Sequence, residues 1–204
     1  MKSMKPWLRK NNRRPTQKRQ KSFCIFTEGN TEKIYFEDFG LVTVEVRCLG
    51  GGDVLHLVSE ALSYMKQPRY TGYDYYWIVF DRDDNPEDKL HQAIEQAKKH
   101  KISWCFSNPC FELWFLLHFD FFQAQTTPDE LKTRLIPDRI PGYTETMPGI
   151  FDLLKDKQAV AIRNSRKLWP KDTRSSRTHH LSELNPATNV DDLVCSLNAC
   201  LASR

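Results

Sequence analysis

The sequence has no apolar run that approaches the roughly 18 residues needed to span a membrane as a helix. Its first residues are basic and polar, and they are not followed by the apolar stretch and small-residue cleavage site of a secretory signal. The six cysteines include no CxxC pair, and three of them lie inside short apolar runs. We therefore expect a cytoplasmic protein with reduced thiols and no membrane partner.

Acidic residues are missing from the first 21 positions, which hold nine Lys or Arg. All 26 Asp and Glu side chains come later, where they meet 21 Lys and Arg. A basic segment of this kind gains sequence-independent affinity for a polyanion by releasing its counterions. We predict a flexible basic arm over residues 1–21 that binds nucleic acid, with a merely solvated terminus as the alternative.

The rest of the chain is long enough, and at 40% apolar residues hydrophobic enough, for one packed core. Short apolar segments alternate with segments of helical periodicity, which predicts parallel strands joined by crossover helices. The fold expected over residues 22–120 is thus an α/β three-layer sandwich with a central, mostly parallel sheet. The predicted strands cover residues 21–27, 41–49, 75–80 and 102–106.

Beyond Phe119 the pattern is helical. Residues 127–130 form a capping box with Pro128 at the first helical position, and residues 150–168 are amphipathic. A last helix is predicted to begin after Asn189, and no further strand is evident. We therefore predict that residues 121–204 form a helical C-terminal extension packed on the sheet.

Acidic residues follow the ends of the predicted strands. Glu28, Asp81 and Glu112 lie at or just after such ends, where ligands bind in α/β sheets. Asp83, two residues after Asp81 in a segment taken as extended, is expected to point to the same side. Like charges about 4 Å apart repel by about 4 kcal/mol at an effective dielectric constant of about 20. A divalent cation would remove this repulsion.

Carboxylate oxygens suit one or two Mg²⁺ or Mn²⁺ ions, and such ions imply phosphoryl transfer by metal-activated water. The alternative for residues 81–85 is a solvated turn that caps the next helix. Zinc is not expected, because no second histidine has ligand spacing relative to His118. His118 itself, on an apolar helix, is interpreted as a core residue.

Several polar residues are candidates for binding substrate. Asn108 is placed to orient Glu112 or to contact phosphate, although Asn before Pro is also an ordinary turn former. Arg174 and Arg177 lie in a polar loop with two histidines and are candidates for gripping a phosphate backbone. A loop of this composition is also compatible with simple solvation.

Four segments together resemble the motifs of the RloB-like family. They are Thr27–Glu32 (TEGNTE) with the following Tyr35–Phe36, Val79–Asp84 (VFDRDD), Ser107–Trp114 (SNPCFELW) with Leu117–Phe119, and Asn185–Val190 (NPATNV). The resemblance spans residues 22–194. It implies a Toprim-like fold, the catalytic fold of topoisomerases, bacterial primases and OLD-type nucleases, and genes that accompany restriction and phage-defence loci.

The resemblance also implies residue roles. Glu28 matches the Toprim glutamate that acts as general acid/base or metal ligand, and Asp81 and Asp83 match the metal-binding pair, with Glu112 as an added catalytic and metal-binding residue. Family members often carry Lys two positions after the aromatic residue that is Tyr143 here, whereas this chain has Glu145. The missing basic group is then expected from Arg166 or Lys167.

The function implied is a metal-dependent endonuclease or related phosphodiesterase that cleaves DNA or RNA in bacterial phage defence. One alternative is a non-catalytic nucleic-acid-binding or regulatory subunit, with an ATPase or another restriction-system protein as the partner that performs the chemistry. A third hypothesis is action on a nucleotide or a nucleic-acid end. Assembly into a homo-oligomer is left open.

Overall fold

A computed structural model describes residues 19–174 and 180–202. The strands are β1 (Phe23–Thr27), β2 (Val44–Cys48), β3 (Tyr75–Asp81), β4 (Ile102–Asn108) and β5 (Ala187–Thr188). The helices are α1 (Asn30–Glu37), α2 (Val54–Met65), α3 (Glu87–Lys99), α4 (Glu112–Leu117), α5 (Pro128–Glu130), α6 (Ile150–Leu154), α7 (Gln158–Leu168) and α8 (Val190–Ala202). A π-helical turn, Leu131–Leu135, continues α5. Short 3₁₀ turns cover Lys155–Lys157, Lys171–Thr173 and Leu181–Glu183.

The five strands form one sheet in the order β2-β1-β3-β4-β5. The first four are parallel, because each is joined to the next by a helix that crosses over the sheet. In the register of the two central strands, Thr27 lies beside Val79. The ends of β1 and β3 therefore lie next to each other at one edge of the sheet, and this edge carries the predicted acidic residues.

Helices cover both faces of the sheet, as the continuous apolar runs of β1 and β3 predict. Ile25 and Val79 belong to one buried cluster, together with apolar side chains of α1, α4, α6, α7 and α8. Phe26 and Phe80 belong to a second cluster on the other face, with α2 and α3. The predicted α/β class with a mostly parallel central sheet is confirmed.

The prediction that no strand follows Phe119 is wrong. Residues Ala187–Thr188 pair antiparallel with the end of β4 and become the fifth strand. The Asn189 side chain extends this pairing by accepting from Phe106 N at 2.7 Å and donating to Trp104 O at 3.1 Å. Two residues are too few to show a period of two, and so the sequence carries no strand signal here.

Two further elements differ in extent from their predictions. The strand predicted over residues 41–49 is confined to β2, which lies at the edge of the sheet. The amphipathic segment 150–168 is divided into α6 and α7 by the 3₁₀ turn Lys155–Lys157, whose three charged residues are exposed. Within the described residues, no helix has the length and apolar character needed to cross a membrane.

Candidate active site

The carboxyl ends of β1 and β3 bring Glu28 and Asp81 together. The Asp81 backbone N–H donates to Glu28 Oε2 at 3.3 Å, and the Glu28 N–H donates to Val79 O at 3.1 Å. Burial raises the pKa of Glu28 to about 7, and the charge of Asp83 adds to this rise against the hydrogen bond from Asp81. Glu28 can therefore hold or release a proton near neutral pH.

Asp81 is the central carboxylate of this edge. Its Oδ2 accepts from Phe111 N at 3.2 Å, just before α4 begins, whereas Oδ1 is buried and has no hydrogen-bond partner. Burial raises the pKa of Asp81 well above its ordinary value, and the charges of Glu32, Glu112 and other neighbouring carboxylates raise it further. Buried polar oxygens are normally hydrogen-bonded, and the described residues supply no partner for this one.

The backbone conformation at Asp83 differs from the extended one that was predicted. The chain is not extended after Asp81: Asp83 has a φ of 41°, and Asn85 N closes a turn onto Arg82 O at 3.1 Å. Asp is one of the residues that tolerate this left-handed conformation. The prediction that Asp81 and Asp83 leave one face of an extended segment is wrong, although Asp83 still raises the pKa of Glu28 and of Asp81.

Glu112 begins α4 and is buried. Its Oε1 accepts from the Tyr143 hydroxyl at 3.0 Å and lies 3.9 Å from Lys132 Nζ. Burial and the charge of Glu112 raise the pKa of Tyr143, so that its hydroxyl stays protonated and donates. Glu112 also raises the pKa of Asp81, which shows that the two carboxylates lie close enough to repel each other.

Glu32 joins these residues and was not predicted. It is buried in the first turn of α1, and its Oε2 has no hydrogen-bond partner. Burial raises its pKa to about 7, with further contributions from the charges of Glu112 and Glu28. A Cβ atom on Gly29 would lie only 2.6 Å from Oε2, so a larger residue at this position would push the Glu32 carboxylate aside.

We call these five side chains the acidic cluster: Glu28, Glu32, Asp81, Asp83 and Glu112. Their hard carboxylate oxygens, two of them buried without partners, fit a divalent cation such as Mg²⁺. Across residues 19–174 and 180–202, however, no three His, Cys, Asp or Glu side chains are grouped closely enough to hold a metal ion as they stand. The donor chemistry fits, and the carboxylates would have to close around the ion.

Asn108, the last residue of β4, is buried beside the acidic cluster. Its Nδ2 donates to Leu181 O at 3.3 Å and to Ser182 O at 3.4 Å, so its side chain ties β4 to a later turn. It also lines a cleft of about 1100 Å³ to which Asp83 and Asp84 contribute. Two basic side chains, Arg82 and Lys89, line the same cleft.

The other predicted substrate-binding residues lie elsewhere. Arg166 donates to Asp191 Oδ2 at 3.1 Å, and Lys167 Nζ lies 3.9 Å from the centre of the Phe121 ring. Arg174 is buried and pairs with Asp191 at 2.8 Å and with Asp192 at 3.0 Å. Ser165 completes this group, which we call the arginine network: Ser165, Arg166, Arg174, Asp191 and Asp192.

Arg174 and Asp192 of the arginine network line a second cleft with Ile102 and Ser103, at the start of β4. The contacts of this network stabilise the packing of α8, and the substrate role of its arginines stays a prediction. Arg177, His179 and residues 1–18 of the predicted basic arm lie outside the described residues.

Lys132 places a positive charge beside the acidic cluster, whereas Arg166 and Lys167, from which one was expected, lie elsewhere. Lys132 lies in the π-helical turn and forms an ion pair with Glu145 at 2.7 Å. Partial burial lowers its pKa, but the hydrogen bond to Glu145 and the charge of Glu112 raise it above the ordinary value. A lysine next to a capping box looks like an ordinary helix residue, and only the fold places it near Glu112.

Comparison with curated proteins and with solved structures gave no match. The family model described as RloB-like protein matches residues 23–197, which include every member of the acidic cluster and of the arginine network. This match covers most of the chain, and the protein belongs to the RloB-like family.

Proposed function

We propose that this protein is a divalent-metal-dependent phosphodiesterase that cleaves nucleic acid, with a Toprim-like arrangement of its acidic residues. The observation that carries the proposal is the acidic cluster at the ends of adjacent parallel strands, in which Asp81 Oδ1 and Glu32 Oε2 are buried without partners. Structural carboxylates are normally paired or hydrogen-bonded. A role in bacterial phage defence rests on the family resemblance.

Asp81, Asp83 and Glu112 would hold one or two Mg²⁺ or Mn²⁺ ions, with Glu32 as a further ligand. When bound, such an ion activates water and offsets the charge that develops on the phosphate. Glu28, whose pKa is raised to about 7, is suited to take a proton from the attacking water or to give one to the leaving oxygen.

The cleft beside Asp83 offers a path for the substrate. Arg82 and Lys89 give it positive charge, although Lys89 Nζ also forms an ion pair with Asp53 Oδ2 at 2.5 Å. Asn108 also lines the cleft, and its Nδ2 already donates to backbone carbonyl oxygens. We assign this cleft to the strand that carries the scissile phosphate.

The test is a cleavage assay with the purified full-length chain. Single-stranded DNA, duplex DNA, structured RNA and tRNA are incubated with Mg²⁺ or Mn²⁺, and the products are mapped. We expect metal-dependent cleavage, lost by about a hundredfold or more in Asp81→Asn and in Glu28→Gln. Product mapping separates internal cleavage from action on a nucleic-acid end.

Asp156→Asn is the matched control, because Asp156 is an exposed carboxylate outside the acidic cluster. Circular dichroism confirms that each variant is folded. Equal cleavage by wild type and Asp81→Asn would show that the acidic cluster is not the active site. If no substrate gives a metal-dependent product, the regulatory subunit becomes the better hypothesis.

A further inference from the structure

Lys132 lies between two carboxylates of different character. Its Nζ is 2.7 Å from Glu145 Oε1 and 3.9 Å from Glu112 Oε1. The Glu112 side chain is 3% exposed, whereas that of Glu145 is 57% exposed. The longer distance is too great for a hydrogen bond, so Lys132 is hydrogen-bonded to the exposed carboxylate and only ion-paired with the buried one.

The charge of Lys132 acts on the acidic cluster beyond Glu112. Burial raises the pKa of Glu32 and of Asp83, and the charge of Lys132 opposes the rise in both. A phosphate that approaches five carboxylates is repelled, and a cation at their border offsets this repulsion. Lys132 is 33% exposed and can be reached from solvent.

Glu145 is held by its backbone, while its carboxylate is left accessible. Its carbonyl oxygen accepts from Thr31 Oγ1 at 2.8 Å, which ties it to the start of α1. Tyr143, two residues earlier, donates to Glu112. A substrate phosphate presents the same charge sign and the same kind of oxygen acceptor as the Glu145 side chain, so it can replace that side chain on Nζ without moving the backbone.

We infer that Lys132 is the phosphate-contacting cation of the acidic cluster and that Glu145 is its resting counter-ion, displaced when the substrate phosphate binds. This inference rests on the proposed phosphodiester substrate. It gives Glu145 a role in setting affinity: while its carboxylate occupies Nζ, the phosphate must compete with it. A purely structural ion pair would show no such competition.

The experiment measures binding of a fluorescein-labelled single-stranded DNA oligonucleotide to the full-length chain at several salt concentrations. Ca²⁺, a hard cation with oxygen ligands, is present. We expect Lys132→Gln to weaken binding by about tenfold and to reduce the slope of log Kd against log salt by about 0.7, the value for one phosphate contact on a single strand. Lys132→Arg should restore both, because it keeps the charge.

Glu145→Gln should tighten binding by about threefold, because it removes the competitor for Nζ. The matched controls are Lys155→Gln and Asp152→Asn, which alter an exposed ion pair of similar length, 2.9 Å, away from the acidic cluster. Thermal unfolding of each variant separates a lost structural contact, which lowers Tm, from a lost phosphate contact, which changes the salt slope.

An unchanged affinity and salt slope in Lys132→Gln would overturn the inference, as would wild-type protein that does not bind the oligonucleotide. Weaker binding by Glu145→Gln would also overturn it. A separate Mn²⁺ titration of wild type and Asp81→Asn reports on the proposed function. If Mn²⁺ binding depends on Asp81 while Lys132→Gln behaves as wild type, this inference fails and the proposed function stands.

Discussion

The acidic cluster and the arginine network each bring carboxylates together, and they differ in how the charge of these carboxylates is compensated. Both oxygens of Asp191 have partners within the chain: Oδ1 accepts from Ser165 at 2.7 Å and pairs with Arg174, and Oδ2 accepts from Arg166. In Asp81, by contrast, Oδ2 accepts a hydrogen bond from the Phe111 backbone N–H, and Oδ1 has no partner. Asp191 is thus fully buried with both oxygens satisfied, whereas Asp81 is less buried and has one buried oxygen without a partner.

Under the proposed function, the difference separates a structural role from a metal-binding role. Removing a charge from water is costly unless pairing and hydrogen bonds offset the loss. The arginine network offsets it internally and thereby fixes α8 against α7. The acidic cluster gathers five acids beside Lys132 and Arg82, and the proposed divalent cation would offset the charge that these two leave.

The largest expected effect is on the arginine network. Arg174→Met should lower the free energy of unfolding by about 3–5 kcal/mol, because it leaves buried Asp191 short of its cation. Urea denaturation at neutral pH measures this. Lys171→Met is the control: Lys171 pairs with Asp192 at 3.1 Å but is 66% exposed, so its loss should cost only about 0–1 kcal/mol.

A small stability loss in Arg174→Met, together with weaker nucleic-acid binding, would contradict the comparison. Arg174 would then be a substrate contact, as its place in a basic loop first predicts. The arginine network would no longer serve as the satisfied counterpart of the acidic cluster.

The next effect is on the pH dependence of the free energy of unfolding. Removing a carboxylate of the acidic cluster is expected to stabilise the fold, whereas removing an arginine of the arginine network destabilises it. Glu28 has a folded pKa of about 7 against an ordinary 4.5, so the folded state binds the extra proton between these values. Its contribution to stability therefore falls as pH rises from about 4.5 to 7 and stays low above 7. Without metal, Glu28→Gln should be more stable than wild type by about 1–3 kcal/mol at pH 8, after allowance for solvent screening, and nearly equal at pH 4.5.

The difference between variant and wild type is the quantity to measure, because other groups titrate as well. Burial lowers the pKa of His118 to about 4, which makes wild type gain stability as pH rises through the same window. That contribution cancels in the difference. Asp156→Asn should show no such pH-dependent difference, and saturating Mg²⁺ should reduce the one for Glu28→Gln. A difference that shrinks as pH rises would mean that the pKa of Glu28 is not raised by its burial.

Much of this comparison was accessible from sequence. Continuous apolar runs predicted the parallel strands, and topology then predicted that Glu28, Asp81 and Glu112 would meet. The arginine network was not accessible: Arg174 in a polar loop resembles a surface residue, and Asp191 in the first turn of a helix resembles an ordinary helix-start acid. Only long-range packing pairs them.

The same limit applies within the acidic cluster. Glu32 lies in the first turn of α1, and an acid in a first helical turn is common for reasons of the helix dipole alone. Its pKa is raised in part by the charge of Glu112 in α4, which is far along the chain. Lys132 and Asp83 likewise depend on a turn and a contact that no periodicity reveals.

The smallest expected effect is that of removing the Tyr143 hydroxyl, which contacts Glu112. Glu112 has features of both the acidic cluster and the arginine network. It belongs to the acidic cluster, yet Tyr143 donates to it and Lys132 lies nearby. Tyr143→Phe should lower the free energy of unfolding by about 1 kcal/mol and weaken Mg²⁺ binding by about tenfold, because a ligand loses the hydrogen bond that orients it. Calorimetric titration and thermal unfolding measure the two quantities, with exposed Tyr75→Phe as the control.

The two readouts distinguish what the hydroxyl does for Glu112. If stability falls and Mg²⁺ affinity is unchanged, Tyr143 acts as Ser165 does for Asp191, and Glu112 belongs with the structural carboxylates. If Mg²⁺ affinity falls as well, the chain uses a neutral donor to position a carboxylate while leaving its charge for the ion. The second outcome is expected, because a tyrosine orients the carboxylate without cancelling its charge, whereas the arginines of the other group cancel the charge of Asp191.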